Sequence, residues 1–169
     1  MTFDFKFKIS RRTFAAIALA LLASLLLIPS TASAQARKEV SAPITNLPNG
    51  TSAAVWAGNT LYVSGSLDPD LKNHTSTESQ TVGVIKFLQQ LLESQKLTLS
   101  DVVMMHVYLA ADPAKDGKMD FAGMMAGYTQ FFGTKDQPNK PARTTVQVVL
   151  PAGVRGALIE IDLVAVRRE

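Results

Sequence analysis

The sequence predicts an α+β protein with two helices and several short strands. Two stretches place apolar residues three and four positions apart, which is the spacing of a buried helix face. Short runs rich in Val, Ile, Leu and Tyr have the length of strands, and they are bounded by Gly, Pro and Asn. These runs and stretches follow one another in the order ββαβαββ, without an internal repeat.

Residues 1–34 have the pattern of an export signal. Four basic residues precede an apolar run over 15–28, and Ala32-Ser33-Ala34 follows as a small-residue cleavage pattern. The run is shorter than the roughly 18–20 residues that span a bilayer, so a cleaved signal is favoured over a membrane anchor. Ser10-Arg11-Arg12-Thr13-Phe14 resembles a twin-arginine motif, with general secretory export as the alternative. We therefore expect a periplasmic or secreted protein that has no membrane contact after cleavage.

The chain after residue 34 has the size of one domain and no net charge. Residues 35–50 are polar and lack an apolar period, so they are expected to form an extended lead-in to a domain at 51–169. Of the 17 basic and 14 acidic residues, the signal holds four and one, which leaves 13 of each. A neutral domain lacks the basic surface that nucleic acids require, so no nucleic-acid partner is expected. The absence of cysteine excludes disulfides and thiolate chemistry.

The first half of the domain is predicted to be a hairpin followed by a helix. Runs at Ala53–Ala57 and Thr60–Ser64 flank Gly58-Asn59, a pair that suits a two-residue turn. Ser76 or Thr77 can cap a helix that runs to about Ser94. The buried stripe of this helix comprises Thr81, Val84, Ile85, Leu88, Leu91 and Leu92.

The second half is predicted to be a strand, a helix and two further strands. The run Val102–Leu109 is apolar on both faces apart from His106, so both faces are expected to be covered. Aromatic and methionine residues at helical spacing predict a helix from Phe121 that Gly133 ends. Alternating strands are predicted at Thr144–Leu150 and Ala157–Val166, joined by a turn with Pro and Gly.

Few residues in this chain suggest catalysis. The two histidines, His74 and His106, lie 32 positions apart and there is no cysteine, so no metal site is expected, and His106 is interpreted as a hydrogen-bonded core residue. Arg143 and Glu160 are charged residues in apolar strand contexts, which requires a partner for each. Together they could bind a small carboxylic acid and activate a water. The residues alone favour the simpler alternative, an ion pair between adjacent strands.

A set of short motifs resembles the RidA (YjgF-type) family in the same order along the chain. The most specific motif is Pro141-Ala142-Arg143-Thr144-Thr145-Val146, which Leu150-Pro151 and a strand containing Glu160-Ile161 follow. The other matching segments are Leu61-Tyr62-Val63-Ser64-Gly65, Asp101-Val102-Val103, Tyr108-Leu109, Asp120-Phe121, Tyr128 and Phe131-Phe132. The resemblance covers residue 53 to the end of the chain.

The resemblance implies a chorismate-mutase-like fold: a mixed sheet with two helices on one face, assembled as a homotrimer with sites between neighbouring subunits. It implies hydrolysis of 2-imino acids, such as 2-iminopropanoate and 2-iminobutanoate, to 2-keto acids and ammonia, without a cofactor. By position, Arg143 would hold the substrate carboxylate and Glu160 would position the attacking water. The remaining substrate-binding positions implied in this way are Ser64, Gly65, Thr145 and Met125.

The sequence departs from the family pattern at several pocket positions. Met125 stands where many members have Asn, Thr51 where many have Tyr, and Ser66 where Gln usually follows Ser-Gly. The turn over 151–160 is also longer than usual. These departures leave a second hypothesis open, in which the protein is a trimeric, non-catalytic binder of small carboxylates or of a protein partner. The endoribonuclease activity of some relatives is disfavoured by the neutral charge.

Overall fold

The computed structural model describes residues 37–40 and 51–168. The predicted export signal and its cleavage site lie outside the described residues, as does most of the predicted lead-in. The strands are β1 (Arg37–Val40), β2 (Ala54–Ala57), β3 (Thr60–Ser66), β4 (Val102–Leu109), β5 (Ala142–Gln147) and β6 (Ile159–Val166), and the helices are α1 (Thr77–Ser94) and α2 (Phe121–Tyr128). No helix within the described ranges is long and apolar enough to cross a membrane.

The six strands form one mixed sheet in the order β1-β2-β3-β6-β4-β5. β4 and β5 are parallel, and every other neighbouring pair is antiparallel. The α+β class, with a mixed sheet and two helices, is therefore confirmed. β1 was not predicted, because its sequence Arg-Lys-Glu-Val has no apolar alternation; Val40 is buried, whereas Lys38 and Glu39 are exposed. Charged residues are typical of such an edge strand.

The predicted hairpin and first helix are confirmed. β2 and β3 pair around Gly58, whose φ of 60° is the left-handed conformation that this turn requires. The Ser76 side chain accepts a hydrogen bond from the backbone N–H of Ser79 and caps α1. These elements were predictable because their signals are local in the sequence.

The second helix is shorter than its pattern predicted. α2 ends at Tyr128, and the chain then tightens into turns in which Phe131 N donates to Tyr128 O. The Thr129 hydroxyl donates to Met125 O at 2.9 Å, a side-chain bond that competes with the helix backbone. Phe132 is still buried and stacks on Tyr128 with ring centroids 4.8 Å apart. Phe132 therefore packs into the core, as its apolar spacing suggested, although it lies beyond the end of the helix.

The short turn between β5 and β6 suggested that these strands are neighbours in the sheet. They are not, because β4 lies between them. β5 begins two residues earlier than predicted and ends at Gln147, after which Val149 is 98% exposed. β6 begins at Ile159 and inserts between β3 and β4. The order follows from long-range pairing, which alternation within a strand does not encode.

The sheet has one face against the helices and one face that is open in the single chain. The helix face carries the buried strand residues, among them Met105, Val107, Ile161 and Leu163. α1 contacts both α2 and β6. The prediction that β4 is covered on both faces is wrong for the single chain, because Val103 is 48% exposed. The term open face is used below for the side opposite the helices.

Candidate functional site

Arg143 lies on the helix face of the edge strand β5. Its register opposite Met105, a core residue, turns its side chain toward α2. One guanidinium nitrogen, Nη2, lies 3.1 Å from the sulfur of Met125, and Nη1 lies 3.8 Å from the sulfur of Met124. Thioethers are weak acceptors, so these contacts leave most of the donor capacity of the guanidinium unused.

Two aromatic rings of α2 complete the surroundings of Arg143. Its Cζ atom lies 4.4 Å from the ring centroid of Tyr128 and 6.0 Å from that of Phe121. Both distances are within the range of cation–π attraction. Burial raises the pKa of Tyr128, and the nearby guanidinium opposes that rise. Among the described residues, no carboxylate forms an ion pair with Arg143.

Thr145 lies beside Arg143 on the same face, two residues further along β5. Its register partner is Val107, which is buried in the core. The Thr145 Oγ1 atom is buried and has no hydrogen-bond partner among the described residues. Such a group costs about 1–3 kcal/mol unless a ligand or water satisfies it. We call Arg143, Thr145 and Met125 the arginine half-site.

Glu160 lies on the open face of β6, close to the irregular end of β3. Its register partner is Tyr108, and the β3–β6 register shifts between Val63 and Ser66. At Gly65, a Cβ atom would collide with the Glu160 carboxylate, so the absence of a side chain at this position lets the carboxylate lie against the backbone of β3. Gly65 and Glu160 form what we call the glutamate half-site.

The environment of Glu160 makes its carboxyl group a stronger base than usual. Burial raises its pKa above the usual value of 4.5, and the negative charge of Asp162 adds to the effect. The carboxylate forms no hydrogen bond or ion pair with another described residue. A carboxylate with a raised pKa that is free to accept a proton suits general base catalysis.

A hydrogen-bonded cluster that the sequence analysis did not predict adjoins Glu160 on the open face. His106 Nδ1 lies 2.6 Å from Asp162 Oδ1, and the Tyr108 hydroxyl donates to Asp162 Oδ2 at 2.8 Å. The Asp162 hydrogen bond, burial and the nearby carboxylates raise the pKa of Tyr108. His106 is hydrogen-bonded as expected, but its side chain is 38% exposed and does not lie in the core. Polar residues alternate along both strands, and this alternation is the signal that could have indicated the cluster.

The serine positions near β3 have structural partners. The Ser64 hydroxyl donates to Ser52 O at 2.7 Å, and the Ser66 hydroxyl donates to Ser64 O at 3.0 Å. Both side chains therefore stabilise the irregular end of β3 next to Gly65. Thr51 is exposed at the start of the described segment.

Arg143 and Glu160 do not meet within one chain. Arg143 pairs with Met105 of β4, and Glu160 pairs with Tyr108 of the same strand. Paired residues share a face, and Met105 and Tyr108 are an odd number of positions apart, so Arg143 and Glu160 lie on opposite faces of the sheet. They are also separated by two strand spacings, about 10 Å. The alternative of an ion pair between adjacent strands is therefore wrong. A single site that contains both residues requires a second copy of the chain.

The two histidines have separate carboxylate partners. His74 contacts Asp68, and His106 contacts Asp162. Within the described ranges, no three His, Cys, Asp or Glu side chains form a group that could hold a metal ion.

Comparison with known proteins identifies the family. The family model described as endoribonuclease L-PSP matches residues 45–167. A RutC family protein of Pyrococcus horikoshii is 36% identical over 119 residues, which are 68% of this chain and 84% of that protein. A RutC family protein of Haemophilus influenzae is 32% identical over 123 residues, 68% of this chain and 85% of that protein. The chain therefore belongs to the endoribonuclease L-PSP family, which includes the YjgF, RutC and RidA proteins.

Solved structures show the same fold. The crystal structure of the YjgF gene product of E. coli covers 78% of this chain and 99% of its own, with a TM-score of 0.63 at 24% identity. That of yeast YEO7 covers 79% of this chain and 100% of its own, with a TM-score of 0.60 at 26% identity. Family membership leaves the reaction open, because the names given to its members differ.

Proposed function

We propose that this protein hydrolyses reactive 2-imino acids to 2-keto acids and ammonia, as RidA-type deaminases do. The observation that carries the proposal is the arginine half-site. A guanidinium with no carboxylate partner among the described residues lies beside a buried hydroxyl that lacks a hydrogen bond. This pair of groups is complementary to a small carboxylate.

The arginine half-site would bind the substrate carboxylate through two parallel N–H···O bonds from Arg143. The Thr145 hydroxyl would donate to the same anion, which removes the cost of its burial. The rings of Tyr128 and Phe121 make the surroundings apolar and strengthen the charge interaction. A bound imino acid would be held with its C=N carbon beyond this anchor.

The glutamate half-site would supply the water. Glu160 accepts a proton from the water as the water oxygen bonds to the imine carbon, and then returns it to the nitrogen. The hydroxyl group of the resulting carbinolamine then passes its proton through Glu160 to the nitrogen as the C–N bond breaks, so ammonia leaves and the carbon retains the water oxygen as a ketone. Because an imine is already electrophilic, orientation of the reactants accounts for most of what the protein must provide.

Both half-sites would act on one substrate only between two copies of the chain. We therefore include a homotrimer in the proposal, with the arginine half-site of one copy facing the glutamate half-site of its neighbour. The open face presents Tyr62, 52% exposed, and Val146, 41% exposed, which suits a face that another copy covers. Export to the periplasm or medium is part of the proposal through the signal at 1–34.

A non-catalytic carboxylate binder is the second candidate. Carboxylate binding needs the arginine half-site alone, which is complete within one chain. Turnover also needs Glu160 and a second copy. The two candidates therefore differ in whether a bound imine is hydrolysed.

The test generates an imino acid with an amino-acid oxidase in the presence of semicarbazide, which traps the imine. A deaminase lowers the rate of semicarbazone formation, whereas Arg143→Ala should not. Arg155→Ala is the matched control, because Arg155 is exposed and the same charge is lost away from the site. Calorimetry with pyruvate measures binding separately. Binding without an effect on trapping would support the binder. If the protein neither binds pyruvate nor affects trapping, both candidates are excluded.

A further inference from the structure

We propose that Met125 is an oxidation site, and that its sulfoxide closes the arginine half-site by holding Arg143. The proposal rests on the proposed function in one respect, because the affinity that it regulates is that for the substrate carboxylate. The contact that carries it is the 3.1 Å distance between Met125 Sδ and Arg143 Nη2.

The sulfur atom occupies the position of a hydrogen-bond acceptor, but a thioether is a weak one. A carboxylate can therefore compete for the guanidinium. Oxidation adds a polar oxygen to the sulfur, next to the same N–H group. Hydrogen bonds to a charged donor are among the strong ones, so the sulfoxide oxygen would take donors that a bidentate carboxylate requires.

Exposure distinguishes Met125 from its neighbour in α2. Met125 is only partly buried, whereas Met124 is fully buried, with its sulfur 3.8 Å from Arg143 Nη1. A small oxidant should reach Met125 first. Met119 is also partly buried, but it has no side-chain contact with Arg143 among the described contacts. It therefore provides a matched position for a control.

The reaction is a two-electron oxygen transfer from a peroxide. Hydrogen peroxide gives one oxygen atom to the Met125 sulfur and is reduced to water, and no carbon–sulfur bond breaks. Methionine sulfoxide reductases reverse the step. The modification can therefore act as a switch rather than only as damage.

The experiment treats the purified protein with hydrogen peroxide and locates the sulfoxides by mass spectrometry of peptides. Two readouts follow: pyruvate affinity by calorimetry, and the rate at which phenylglyoxal modifies Arg143. The variants are Met125→Leu, which cannot be oxidised there, Met125→Gln, which places a permanent oxygen acceptor near Arg143, and Met119→Leu as the control.

We expect Met125 to be oxidised before Met124, pyruvate affinity to fall about tenfold and phenylglyoxal labelling of Arg143 to slow. For both pyruvate affinity and the labelling rate of Arg143, the ratio of the peroxide-treated to the untreated value should be near one in Met125→Leu. In Met119→Leu this ratio should equal that of the wild type. Met125→Gln should show slow labelling without peroxide, and reductase treatment should restore the oxidised wild type.

Unchanged labelling of Arg143 after complete oxidation of Met125 would overturn the inference, as would resistance of Met125 to peroxide. If the untreated protein binds no 2-keto acid, the proposed function fails instead. The phenylglyoxal readout then decides the inference by itself, since it needs no substrate.

Discussion

Two inactive variants should restore activity to each other when they assemble together. Arg143→Ala would remove the proposed carboxylate anchor, and Glu160→Gln would remove the proposed base. Because the register places the two residues on opposite faces of the sheet, an active site that uses both, as we propose, would take Arg143 from one copy and Glu160 from another. A mixed assembly can then contain sites in which both residues are intact.

The size of the effect follows from that arrangement. Each single variant should lose about 100-fold or more in kcat/KM, because a bidentate charged contact or the base is missing. In a random equal mixture, half of the copies carry Arg143 and half carry Glu160. About a quarter of the sites would then pair an intact Arg143 with an intact Glu160.

The assay is semicarbazone trapping with the two variants co-expressed at equal levels and purified together. Separately purified variants mixed just before the measurement serve as the control for exchange. Activity near a quarter of wild type supports a site shared between copies. If the co-expressed assembly, shown to contain both variants, is no more active than its parents, the shared-site reasoning is refuted.

Three further predictions concern the individual residues. Thr145→Val should raise the free energy of unfolding by about 1 kcal/mol, because it removes a buried hydroxyl without a partner. It should also weaken pyruvate binding, so melting and calorimetry should change in opposite directions, and a loss of both would contradict the assignment. Gly65→Ala should displace the Glu160 carboxylate, which is the end of a flexible side chain, and therefore lower the rate of imine hydrolysis in the trapping assay with little change in the free energy of unfolding, whereas Gly153→Ala, which has open space around it, should change neither. The raised pKa of Glu160 sets the direction in which Glu160→Gln changes stability. Because the folded protein holds the proton more tightly than the unfolded chain, ionisation of Glu160 costs stability as the pH rises above 4.5. The variant should therefore melt at a higher temperature than the wild type at pH 7 and at the same temperature below pH 4, and an equal gain at both pH values would argue against it.

Local signals in the sequence were sufficient for some elements. The Gly58 turn, the Ser76 cap and the apolar run of β4 each depend on neighbouring residues, and all three are found as predicted. β1 depends on its pairing with β2, and its charged sequence gives no alternation. α2 ends at Tyr128, where turns replace the helix, although the apolar spacing continues to the buried Phe132.

The site was predictable by residue type but not by arrangement. Arg143 and Glu160 stood out as charged residues among apolar neighbours. That they lie on opposite faces depends on the registers of β5 and β6 against β4, which are long-range properties. The bond between His106 and Asp162 joins residues 56 positions apart, so the polar alternation within each strand could indicate polar positions on one face but not which residues pair.

The lack of an ion pair explains why the arginine half-site suits a ligand. If Arg143 were bonded to Glu160, a substrate carboxylate would have to displace a charged partner and leave it exposed. Instead, sulfur atoms and aromatic rings surround the guanidinium. These contacts are weak individually, and they lower the cost of partial burial while satisfying the guanidinium donors only with weak acceptors. A carboxylate would therefore displace only weak sulfur contacts, and the weakness of the Met125 thioether as an acceptor is what makes its oxidation consequential.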